Sequence, residues 1–152
     1  MTKVLLVGFL AGALAVIAFH QALVHVLHFQ FAFIQSITGL PDAFRPQGSG
    51  FNMRPVPPFG VPQVASLAFW GGVWGILLAA MIRWLRAPDL LMGVLIGLVA
   101  TLAAFTLLAQ LRGAPMWAGG NTILWWRAIL LNVAWGWGTA FLMRPFQMTR
   151  GG

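Results

Sequence analysis

The sequence predicts an all-α integral membrane protein, a four-helix bundle made of two α-hairpins joined by a long Pro- and Gly-rich outer loop. Three observations predict it. Only 7% of the residues are charged and 60% are apolar, whereas a soluble domain carries roughly 25% charged residues. The mean hydropathy is +0.86. The apolar residues also fall into four runs, about 3–28, 61–82, 90–111 and 122–143, each long enough for the roughly 20 residues a helix needs to cross hydrocarbon. A chain so poor in charge cannot wet the shell of a soluble domain, so its apolar surface faces lipid. Lipid offers no partner to an unpaired backbone N–H or C=O, and the spans are therefore helical. All 152 residues form a single transmembrane domain.

The first run opens with Lys3 and carries Ala11, Ala13 and Ala15. It exceeds the apolar core of a secretory signal and reads as a retained helix. The aromatic stretch 29–37 either extends it or turns along the interface. Between the first and second runs lies a loop, about 38–60, with Gly39, Pro41, Pro46, Gly48, Gly50, Pro55, Pro57 and Pro58. Such a density of Pro and Gly argues against regular helix or strand pairing there. The second and third runs meet through a tight connection, 83–89, with Pro88 at a helix start. The third and fourth meet through 112–120, broken by Gly113, Pro115, Gly119 and Gly120, after which Asn121 suits an N-cap.

Lys and Arg near the span ends set orientation. With the N-terminus inside, Lys3, Arg83, Arg86, Arg144 and Arg150 lie on the cytoplasmic side, against Arg45, Arg54 and Arg112 outside. The expected location is a bacterial inner membrane, with both termini cytoplasmic. The formal net charge of +7 does not point to nucleic acid, because the basic residues stand singly at span ends rather than clustering on a polar face.

Two features hint at an internal repeat of the two hairpins. Gly8-x-x-x-Gly12 in the first run matches Gly93-x-x-x-Gly97 in the third. Trp74-Gly75 ahead of Arg83 matches Trp135-Gly136 ahead of Arg144. Gly8, Gly12, Gly93 and Gly97 are the expected helix-packing positions, since small residues let backbones approach closely in lipid.

Candidate chemistry is sparse. Gln21, His25 and His28 share one helical face by their spacing, while His20 points elsewhere. His25 and His28 are the candidate metal ligands, with Met53 or Met116 as soft additions. The competing reading makes them polar groups at the headgroup boundary. Arg127 sits roughly 9 Å into the fourth run, where a guanidinium must snorkel, pair or line a wet cavity. Arg127 and Asn132 are the expected contacts for lipid, an anion or a partner subunit. Trp70, Trp74, Trp126, Trp135 and Trp137 are deeper candidates for contact with helices, pigments or quinone-like ligands.

Catalysis has nothing to stand on. There is no Cys, and the only acids are Asp42 and Asp89. Ser36, Ser49 and Ser66 have no His–Asp arrangement beside them in sequence. No cofactor is required, although a lipid, quinone or pigment at an interface is compatible with the composition. The partners expected are membrane lipids and other membrane subunits or a second copy, not nucleic acid. The leading expectation is a non-catalytic accessory, stabilising or assembly subunit of a respiratory or photosynthetic membrane complex. The alternative is a small membrane protein that binds or transports a hydrophobic ligand, a lipid or a metal ion.

The stretch Pro57-Pro58-x-x-x-Pro62, followed by the Trp-rich second run, is similar to the tryptophan-rich sensory (translocator) proteins. The likeness covers about one fifth of the chain. That family has five spans and a second Trp- and Asn-containing signature not placed in this sequence, so no residue role is carried over.

Overall fold

The apolar runs give long helices. The computed structural model describes residues 2–146, and Arg150 lies outside the described residues. Five helices are present among them: α1 (Thr2–Phe29), α2 (Phe31–Thr38), α3 (Gln63–Leu85), α4 (Asp89–Leu111) and α5 (Thr122–Met143). Three of these, α1, α3 and α4, are long and apolar enough to cross a membrane. The fourth expected span is present as the 22-residue α5 but does not join that set. Trp125, Trp126, Arg127, Asn132, Trp135 and Trp137 all lower its hydropathy.

Residues 31–38 form a separate helix rather than a continuation of α1. Gln30 leaves helical geometry at the join, and Gly39 ends α2 in the left-handed region with φ 68°. The Pro-rich loop holds one exception to the expected lack of strand pairing. Pro55–Val56 (β1) and Val61–Pro62 (β2) make a minimal antiparallel pair, with Val56 opposite Val61. Pro occupies only the outer positions, where its missing N–H does least harm. At the start of α5, the Asn121 side chain accepts from the N–H groups of Ile123 and Leu124, as an N-cap should. Asp89 opens α4 and pairs with Arg144 beyond the end of α5 at 2.7 Å. The carboxylate holds the Arg144 guanidinium above its ordinary pKa.

Packing is densest along two helix pairs, α1 with α3 and α4 with α5; α1 also meets α5, and α3 touches α4 and α5. The glycines lie at these contacts. A Cβ built on Gly8 would stand 2.7 Å from Gly75 O and 2.8 Å from Ala79 Cβ. One on Gly97 would stand 2.5 Å from Asn132 O. Gly12 faces the Gly71 carbonyl, and Gly93 faces the Gly136 carbonyl. The first two glycines thus meet α3, and the second two meet α5. Around them the core holds Ala15, Leu78, Ala79, Ile82, Ala140 and Met143, each almost fully buried.

Both α1 and α4 widen into a π turn, α1 near its middle at Val16–Gln21 and α4 near its C-terminal end at Ala104–Leu108. In each, the N–H of the following residue reaches five residues back, Ala22 to Ile17 O and Ala109 to Ala104 O. Such turns occur frequently at functional sites.

Candidate ligand cleft

The loop between α2 and α3 folds down onto one side of α1. Gly50 approaches the α1 backbone closely enough that a Cβ would collide with Gln21 O. Arg45 Nε donates to His28 O at 3.0 Å, and His28 Nδ1 donates to Pro46 O at 2.9 Å. The His25 ring faces Phe51, centroid to centroid 6.0 Å. Gln21, His25 and His28 therefore all meet this loop. His25 is exposed and His28 half-buried. No group of three or more His, Cys, Asp or Glu stands together among the described residues.

Arg127 finds partners within the chain. Its Nη1 donates to two carbonyls of the same loop, Arg45 O at 3.0 Å and Ala43 O at 3.4 Å. A guanidinium meets the need for partners with oriented carbonyl dipoles as well as with a carboxylate. The bond ties α5 to the loop that covers α1.

Beneath the loop, two polar side chains are set by chains of hydrogen bonds. The Phe51 N–H donates to Gln21 Oε1 at 2.8 Å, which fixes the orientation of that buried amide. Gln21 Nε2 then faces His20 Nδ1 at 3.1 Å. An amide nitrogen can only donate, so Nδ1 accepts and the ring carries its proton on Nε2. On α5, Asn132 Nδ2 donates to Thr101 Oγ1 at 3.0 Å, and that buried hydroxyl donates to Gly97 O at 3.0 Å. The Asn132 amide is thereby turned so that Oδ1 has no partner among the described residues.

These two side chains line one cavity of about 230 Å³. Val16 and His20 come from α1, Leu67, Trp70, Gly71 and Trp74 from α3, Ala100, Ala104, Leu108 and Arg112 from α4, and Asn132 and Trp135 from α5. No side-chain nitrogen or oxygen among the described residues is buried without a partner. His20 Nε2 and Asn132 Oδ1 therefore reach open space, and both residues line this cleft. Trp135 forms a rigid wall, its indole N–H donating to Gly12 O at 3.0 Å. A second hollow of about 420 Å³ shares Ala104, Leu108 and Arg112 with the first and continues past Phe105 to Pro115 and Ala118. Arg112 is exposed there, and its side chain has no bonded partner among the described residues.

Where α1 meets α5, the Phe19 ring sits against Gly138 and stacks edge-on to Trp137 at 6.2 Å. In the π turn of α4, the residue matching Phe19 is Ala104, counted from the glycine pairs that open each helix. Ala104 lines both hollows.

Of the residues singled out in the sequence, Asn132, Trp70, Trp74 and Trp135 come together here. Arg127, His25 and His28 do not; they belong to the loop contact. His20 and Arg112 were missed as site residues. His20 stands apart from the Gln21, His25 and His28 face, as its spacing implied, and so lay outside the candidate metal face, while an Arg at a span end reads as a topology marker. Comparison with family models, with curated proteins and with solved structures finds no match for this chain, so the local likeness of residues 57–62 to the tryptophan-rich sensory proteins carries no family assignment.

Proposed function

We propose that this is a non-catalytic bacterial inner-membrane protein that binds a small hydrophobic ligand in the cleft between α3 and α4. In this reading the four long helices form a bundle of two related hairpins, α1–α3 and α4–α5, with both termini cytoplasmic. The matched glycine contacts and the two π turns support the relation between hairpins. The observation that carries the binding reading is the cleft itself: a concave, aromatic-walled space at membrane depth with two oriented and unpaired polar atoms, His20 Nε2 and Asn132 Oδ1. Binding sites for small molecules have this character, apolar walls with a few placed polar groups. Acid–base catalysis would need titrating groups in the cleft beyond one histidine, and no carboxylate lines it.

A second reading, an accessory subunit of a larger membrane complex, is favoured by the outer face of α5. Trp126, Leu130, Trp137 and Phe141 form an exposed stripe on the least apolar of the long helices. Purification in mild detergent followed by native mass spectrometry separates the two. The binding reading expects a free protein carrying a stoichiometric small hydrophobic adduct. Migration with a large complex and no adduct would overturn it in favour of the second.

A further inference from the structure

We propose that the cleft selects a neutral aromatic ring bearing hydroxyl groups, of the hydroquinone or naphthalenediol class. The inference rests on the binding reading and names its ligand. His20 offers the cleft a donor, because Nδ1 is occupied by Gln21 and the proton sits on Nε2. Asn132 offers an acceptor, because its amide nitrogen is held by Thr101. A hydroxyl is the group that can both accept from His20 and donate to Asn132; a carbonyl or ether oxygen can only accept. A ligand lacking O–H groups gives Asn132 Oδ1 no donor and forgoes the hydrogen bond that a hydroxyl makes there.

The charge pattern argues the same way. No carboxylate lines the cleft, so a cationic ligand finds no partner, and the single cation, Arg112, stands at the outer mouth. The walls are Trp70, Trp74 and Trp135, flat surfaces on which a planar ring stacks in offset or edge-on geometry. The cavity of about 230 Å³ fits a ring head rather than a long chain. An apolar substituent has its own room in the adjoining hollow lined by Phe105, Leu108, Ala109 and Leu124.

The test uses the whole protein in lipid nanodiscs, with empty nanodiscs as the partition control. Equilibrium dialysis measures the binding of three probes, 2,6-dihydroxynaphthalene, 2,6-dimethoxynaphthalene and naphthalene. The expected result is saturable binding of the diol, about tenfold tighter than the dimethoxy ether, the factor one satisfied hydrogen bond supplies. His20→Phe and Asn132→Leu should each reduce the ratio of diol to ether binding. Equal saturable binding of all three probes to the parent and to both variants would overturn the hydroxyl selection and leave the binding reading standing. Absence of any binding above empty nanodiscs, with the parent protein still folded, would overturn both. Should either variant fail to fold, the ratio of diol to ether in the parent decides alone.

Discussion

Arg127 is the side chain hardest to accommodate in α5, and its two carbonyl partners explain why it can stand there. Arg127→Met removes both bonds to the 43–45 segment. The expected loss is about 1–3 kcal/mol, as for hydrogen bonds to a charged group, with faster amide exchange in the loop but not in the middle of α3. Unchanged exchange across the loop would show that the guanidinium does not hold it. At the other oriented group, Gln21→Leu should free the His20 ring to sample both neutral tautomers. Nitrogen-15 spectra of labelled His should then show one tautomer, Nε2–H, in the parent and a mixture in the variant. These partners were not legible in the sequence. A carbonyl acceptor leaves no residue-type signature, so Arg127 invited a search for an acid or a phosphate. Gln21 and His20 are adjacent in the chain, and their connection to Phe51 depends on how a Pro-rich loop closes thirty residues away.

The helices themselves were largely legible, because apolar runs of membrane length leave few alternatives to a helix in lipid. Small residues four apart are equally visible, but which helix they face is not. Gly8 and Gly12 meet α3, and Gly93 and Gly97 meet α5, so the close approaches lie within sequential pairs of long helices. Gly→Ile at any of the four should force backbones apart and lower thermal stability in detergent by about 1–3 kcal/mol, as overpacking does. The same bulk at exposed Leu10 or Leu14 should be tolerated. Melting of all four glycine variants at the parent temperature would contradict the packing. The π turns escaped the sequence altogether. Each adds a residue to one turn without any Pro or Gly to mark it, and a reading based on 3.6 residues per turn runs through it at a slightly wrong phase.

At the scale of the molecule, three helices are long and apolar enough to cross a membrane, and the proposed function requires α5 to cross beside them with one cleft in between. Cysteines placed at Gly48 and Gly151 should label from opposite faces of the membrane in intact cells, and labelling of both from one face would contradict both termini lying inside. The membrane class follows from composition, since charge is too scarce for a wetted surface. The cleft does not, because its lining is drawn from four helices, and Ala104, the α4 position that matches Phe19, lines it only once those helices are packed. Ala104→Phe is therefore the most direct test of the central claim. It places in α4 the ring that α1 already carries, at a site with room to take it. Native mass spectrometry of parent and variant, released from nanodiscs under the same conditions, should find the hydrophobic adduct on the parent and none on Ala104→Phe, with the variant melting at or above the ligand-free parent. An adduct retained at full stoichiometry on a folded Ala104→Phe protein would contradict the cleft as the binding site.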